Sequence, residues 1–146
     1  MNTDLDEVEA FLHRQIPITV AMGIHLVSYD TESLVLSAPL ALNHNHLGTG
    51  FAGSLNALAT LAGYALLWLE LRERPCHVVL RNSSISFRRP VTCGPRAICR
   101  RPEASEVEAF HDQFAQKGKA RLHLHVTIQE HGALAVAFEG TFVALK

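Results

Sequence analysis

The chain of 146 residues is 48% hydrophobic and 18% charged, enough apolar mass for the core of one domain spanning 1–146 and too apolar for a disordered tail. Its formal net charge of −1 excludes a general nucleic-acid binder. Three cysteines without C-x-x-C spacing, Cys76, Cys93 and Cys99, imply neither a disulfide framework nor a zinc ribbon and make a reducing cytoplasm the expected compartment.

The opening stretch, Met1 to Glu7, is acidic and lacks an apolar run, so no signal or transit peptide is expected. Thr3 or Asp4 can cap a first helix in which Leu5, Val8, Phe11 and Leu12 recur at helical spacing, and Ile16-Pro17 ends it. Strands are expected at Ile24 to Tyr29 and Leu34 to Ala38, joined tightly by Asp30-Thr31-Glu32. Pro39 to Gly50, rich in Asn, His and Gly, reads as a loop.

Phe51 to Leu71 carries no charge before Glu70. About 20 helical residues span about 30 Å, the depth of a bilayer core. Ser54, Asn56, Thr60 and Tyr64 break its apolar surface and no second such segment follows, so the expectation is a buried central helix and no membrane span. Gly53, Asn56, Thr60 and Gly63/Tyr64 recur at i, i+3/i+4 and form one small, polar stripe on it.

After Pro75 the pattern turns strand-like. His77 to Phe87 alternates, but Arg81-Asn82-Ser83-Ser84 breaks the period and suggests a bulge. Arg96 to Arg100 is a further strand. Ser105 to Lys117 reads as a helix with a Ser105-x-x-Glu108 capping box, an apolar face of Val107, Phe110 and Phe114, and Gly118 as its stop. Leu122, Leu124, Val126 and Ile128 alternate with polar residues, Gly132 turns the chain, and Leu134, Val136 and Phe138 alternate again, which predicts a hairpin. Runs of strands around one long helix argue for an α+β fold, an antiparallel sheet wrapped on that helix.

Charge is unevenly placed. Arg72, Arg74, Arg81, Arg88, Arg89, Arg96, Arg100 and Arg101 fall within one stretch that holds a single acid, Glu73. Solvated strand faces produce such a pattern; so does a site for a phosphate-bearing anion, which arginine suits.

Gly48-Thr49-Gly50-Phe51-Ala52-Gly53 spells G-x-G-x-x-G, but no strand leads directly into it, so a dinucleotide site is not implied. The helix start still gathers unpaired N–H groups and the positive dipole end, which can hold an anion or a developing oxyanion. The ordered set Asn45-x-x-Gly48-x-x-Phe51-Ala52-Gly53-x-x-Asn56-x-Leu58-Ala59-Thr60 resembles the signature of hotdog-fold thioesterases, whose phenylacetate-type branch reads N-x-x-G-x-x-H-G-G followed by L-A-D. Phe51, Ala52 and Thr60 stand where that branch has His, Gly and the catalytic Asp. Ile16-Pro17, Ala21-Met22-Gly23, Ala38-Pro39-Leu40, Asn43-x-Asn45, Gly53-Ser54-Leu55, Ser86-Phe87-x-Arg89-Pro90 and Gly118-Lys119-Ala120-Arg121 extend the likeness to the thioesterase domain found at the C-terminus of YiiD-type proteins.

The resemblance implies six antiparallel strands around Phe51–Leu71, and a homodimer, or a dimer of dimers, with acyl-thioester sites at the subunit interface. It also implies acyl-CoA or acyl-carrier protein as ligand and no resident cofactor, coenzyme A entering only as the thioester's carrier. Hydrolysis then needs an oxyanion site, expected at Ala52 and Gly53, and a water handled by Asn45, His46 and Thr60, of which only the His46 imidazole is a base by side-chain chemistry. Asn43, Gly48, Thr49, Phe51, Ser54 and Asn56 are expected to line the substrate, with Asn82 and Ser84 reaching it from a strand and Arg88 and Arg89 meeting the carrier's phosphates. His44-x-His46 and His123-x-His125 each put two imidazoles on one face of an extended chain, but no third ligand stands at a diagnostic spacing, and no metal is expected. Because no carboxylate stands at Thr60, a binding module for acyl thioesters without turnover is the competing reading, and a hydratase or dehydratase a third.

Overall fold

The computed structural model describes residues 5–72 and 74–146. Capping by Thr3 or Asp4 lies outside the described residues. The elements are α1 (Leu5–Gln15), α2 (Ile18–Met22), β1 (His25–Tyr29), β2 (Ser33–Ser37), a 3-10 turn at Leu40–Leu42, α3 (Ala52–Leu71), β3 (His77–Phe87), β4 (Arg96–Arg100), α4 (Ala104–Lys117), β5 (Lys119–Glu130) and β6 (Ala133–Leu145). All six strands form one antiparallel sheet in the order β1-β2-β4-β5-β6-β3. The sheet wraps α3, the expected α+β arrangement.

The wrap follows from α3's composition. Leu55, Leu58, Leu61, Ala62, Ala65, Leu66, Leu67 and Leu69 cover most of its circumference and are buried against strands. Such a helix is stable in water only inside other elements. By length and hydropathy it could cross a bilayer; here the sheet supplies the apolar surround. Its one acid, Glu70, is held at the C-terminal end by Arg101, with His111 Nε2 and Tyr29 Oη each 3.3 Å from the carboxylate. Burial, then the neighbouring Glu70 carboxylate, pushes the Tyr29 phenol up.

Ile16-Pro17 ends α1 as expected, and a second helix that was not anticipated, α2, starts at Ile18; the buried Thr19 hydroxyl donates to the carbonyls of Leu12 and Ile16 and ties α2 to the end of α1. One reading is corrected. The Ser105 capping box does not form. The helix begins at Ala104 with Glu103 as its N-cap and no side-chain capping bond, so Ser105 lies two residues too deep to cap. The β5–β6 hairpin is as expected: His131 and Gly132, both at positive φ, make its two-residue turn. The suspected irregularity in β3 is a bulge at Arg81, where pairing with β6 slips between Leu80 and Asn82.

The two sheet edges differ. At β1, α1 covers the edge: Glu9 Oε1 accepts the Leu26 N–H at 2.8 Å and lies 2.6 Å from His25 Nδ1. The 11-residue β3 has β6 on one side and, among the described residues, no strand on the other, with Val79 and Phe87 exposed along it.

Glu130, only 9% exposed, joins the β5 terminus to the loop after β3. Its carboxylate accepts the Thr92 N–H at 2.6 Å and the Thr92 hydroxyl at 3.0 Å. Burial alone would raise its pKa, but the Thr92 and Cys93 hydrogen bonds and the nearby His131 together hold it below the ordinary glutamate value of about 4.5. A carboxyl depressed on folding stabilises the chain above its unfolded pKa, and that contribution is lost as pH falls through the folded value. Glu130→Gln is therefore expected to lower the urea midpoint at pH 7 and to flatten its decline below about pH 4.5. Parallel wild-type and variant curves from pH 7 to 3 would contradict this.

Candidate functional site

The start of α3 is built by the loop before it. Asn45 folds residues 45–49 on itself: its Oδ1 accepts the N–H groups of Leu47 and Thr49, its Nδ2 donates to Thr49 Oγ1 at 2.9 Å, and its own N–H reaches the Thr49 carbonyl at 2.7 Å. Gly48, at φ 79°, makes the reversal possible. Asn43 sits deeper. Its Nδ2 donates to the carbonyls of Met22 and Pro39, its carbonyl accepts the Phe51 N–H at 2.8 Å, and its buried Oδ1 has no partner. Gly50 N–H donates to the Val91 carbonyl at 2.7 Å, next to the Thr92 held by Glu130. The loop thus hangs from α2 on one side and the 91–92 segment on the other. Asn43 and Asn45, expected at the ligand, act here mainly on the shape of the loop.

Phe51 is the N-cap of α3 and offers no side-chain capping bond. Helix geometry leaves the N–H groups of Ala52, Gly53 and Ser54 without intrahelical acceptors, and Ala52 and Gly53 are exposed. The Phe51 ring, itself 52% exposed, folds over Gly53, where an added Cβ would stand 2.6 Å from Phe51 Cε2. Gly53 thereby lets an aromatic ring lie against an exposed donor cluster.

From there a groove of about 540 Å³ runs along α3. Gly53, Asn56, Thr60 and Tyr64 form its helix side, as the stripe predicted. Ile16, Ile18 and Leu80 give it apolar walls, and Ser83 adds a hydroxyl. Burial, with Cys76 nearby, pushes the Tyr64 phenol up, so Tyr64 stays a neutral donor. The groove joins a row of backbone donors, two polar side chains that can orient water, and room for an apolar chain.

Other predicted residues lie apart from it. Asn82 and Ser84 pair with Thr141 and Glu139, on the sheet face turned away from α3, while Ser83 takes the inward position. The bulge at Arg81 is the cause: one extra residue reverses which side chains face the helix. The sequence shows that the pattern breaks there but not which residue is extra. Arg88 lies on that outer face, with Nε 3.4 Å from Ser86 Oγ, and Arg89 is exposed beyond the end of β3. Ser54 is half-buried in the first turn, and His46 is exposed at the loop tip. Ile18 and Leu80 were not anticipated; α2, which carries Ile18, has too few residues to give a period.

A larger cleft, about 650 Å³, lies on the outer face between α4 and β3–β6–β5, lined by Val79, Val143 and Leu145 and rimmed by Arg81, Lys117, Lys119 and Arg121. Its lining includes cations but no residue of the α3 start, which the smaller groove does include, so the smaller groove is the better reaction site.

Comparisons with known proteins agree with the fold. The family model described as "Putative thioesterase (yiiD_Cterm)" matches residues 5–146. A crystal structure of a protein of unknown function from Chlorobaculum tepidum TLS is 32% identical, with a TM-score of 0.91 over 97% of this chain and 93% of that one. A structure titled "putative thioesterase" from Shewanella oneidensis is 31% identical, with a TM-score of 0.87 over 97% of both chains. A Pseudomonas aeruginosa protein titled "Probable Thioesterase" shares the fold at 21% identity, with a TM-score of 0.84 over 99% of this chain and 97% of that one.

Proposed function

The chain belongs to the hotdog-fold family of thioesterases named after the YiiD C-terminal domain, and from that premise we propose that it hydrolyses acyl thioesters at the start of α3. The observation that carries this reading is the uncapped, exposed helix start opening into an apolar groove with Asn56 and Thr60 on its side. The acyl chain lies between Ile16, Ile18 and Leu80. The thioester oxygen takes the N–H groups of Ala52 and Gly53, which meet it with fixed dipoles and need no reorganisation as negative charge grows. Water oriented by Asn56 and Thr60 attacks the carbonyl carbon; the C–O bond forms, the C–S bond breaks, and the water proton ends on the leaving thiolate. Neither Asn nor Thr accepts that proton near neutral pH. His46 stands exposed at the loop tip, outside the groove, so the water proton passes directly to the leaving thiolate.

The carrier is coenzyme A or an acyl-carrier protein, whose phosphates suit an exposed arginine such as Arg89. A second copy covers the open β3 edge and closes the groove, giving a homodimer with a site at each junction. Three free thiols suit a reducing cytoplasm.

The test is a panel of acyl-CoAs, from acetyl to long-chain and aromatic, with thiol release followed on protein whose mass is measured by light scattering. Release above the uncatalysed rate by a dimer is expected, with Thr60→Val lowering kcat at least about tenfold and leaving the melting temperature unchanged. No release, with acyl-CoA still raising the melting temperature, overturns turnover and leaves the binding module.

A further inference from the structure

The outer face of the sheet carries a cluster that the groove chemistry does not use. His123 and His125 stand two residues apart on β5 and so share a face. Across the ladder, His125 pairs directly with Glu139 of β6, and His123 with Thr141. Glu139 Oε2 is 3.6 Å from His123 Nε2 and 3.7 Å from His125 Nδ1, and all three ligand atoms lie within 4.8 Å of one another. Ligands about 2.0–2.1 Å from a tetrahedral ion lie about 3.3 Å apart, so small side-chain rotations close the set. Sequence spacing could not reveal it, because the third ligand comes from the neighbouring strand, 14 residues from His125.

The surroundings orient these groups as metal ligands usually are. The far nitrogen of His123, Nδ1, lies 3.1 Å from Thr141 Oγ1, which leaves Nε2 to face Glu139. Ser84 Oγ donates to the other carboxylate oxygen, Glu139 Oε1, at 3.4 Å. The rings of His123 and His125 meet edge-on, 5.1 Å between centroids. Beside them a depression of about 260 Å³, lined by Ser84, Ser86, Arg88 and Glu139, gives a fourth ligand, water or an anion, room to enter.

We propose that His123, His125 and Glu139 bind one divalent cation of the zinc, cobalt or nickel kind, with Thr141 and Ser84 orienting the ligands. Two imidazoles and one carboxylate favour these borderline ions over magnesium or calcium, which take oxygen sets. The site faces away from the groove and does not rest on the proposed hydrolysis.

Tag-free protein, stripped with chelator and dialysed, is titrated with Co2+ while visible absorption is followed, then with Zn2+ in competition. The expected result is saturation at one equivalent with the bands of a four-coordinate ion, displaced by Zn2+. His125→Ala and the isosteric Glu139→Gln abolish the bands; Thr141→Val weakens affinity roughly 10–100-fold. Circular dichroism and melting checks that each variant folds. Absence of saturable binding overturns the proposal. So does wild-type binding by folded Glu139→Gln, which would place the ion on other histidines such as His44 and His46.

Discussion

Gly53→Val is expected to lower kcat/KM for an acyl thioester at least about 100-fold, the cost of losing one donor of an oxyanion site, in a chain that remains folded. The clash is local. A Cβ at this position stands 2.6 Å from Phe51 Cε2 and 3.2 Å from two further ring atoms. The ring must leave, and the valine branches then stand over the Ala52 and Gly53 N–H groups. Because Gly53 is exposed, no core contact is lost. Glycine is also a poor helix residue, about 1 kcal/mol worse than alanine, so Gly53→Ala should leave the melting temperature equal or higher while activity falls. Opposite signs in the two readouts separate a site effect from damage to the fold. Gly53→Ala combined with Phe51→Ala removes the clashing ring and should recover part of the lost rate. Full activity in Gly53→Val would remove the helix start from the chemistry.

Legibility in the sequence followed the range of the forces involved. The long helix announced itself because an uncharged run of that length is stable only when wrapped, and its small polar stripe marked the side left open. The β5–β6 hairpin was legible because alternation and a glycine turn are local signals. Features that depend on register were not. Ser83 in place of Asn82 and Ser84, and Glu139 beside His123 and His125, both follow from strand pairing, which one-dimensional spacing does not contain. Asn43 and Asn45 carried signals strong enough to be noticed, but an asparagine that folds a loop and one that holds a substrate look alike until the hydrogen bonds are traced. The α2 segment was missed because five residues cannot display a period, and a proline between two short helices reads the same as a proline that ends one.

Gly63→Ala is expected to cost about 2–3 kcal/mol despite alanine's helical advantage, the upper part of the range of about 1–3 kcal/mol for overpacking a close-packed core. Its Cβ would stand 2.5 Å from Phe142 Cζ and 2.6 Å from Cε2. Phe142 is fully buried and is paired on both sides, with Leu80 of β3 and Leu122 of β5. The ring cannot withdraw without moving the sheet or lifting α3 from it. At this chain length the loss corresponds to roughly 5–12 °C in melting temperature. Phe142→Leu alone should also destabilise, by opening space beside Gly63. The double variant should lose less than the two single losses combined, with a coupling of at least about 1 kcal/mol, because the smaller side chain accepts the new methyl. Gly63 continues the stripe of Gly53, Asn56 and Thr60, so it sets how closely α3 approaches the strand beside Leu80 and Ser83, and hence how deep the groove is. Additive losses in the double variant would mean that helix and sheet adjust independently, leaving the depth of the groove to be set elsewhere.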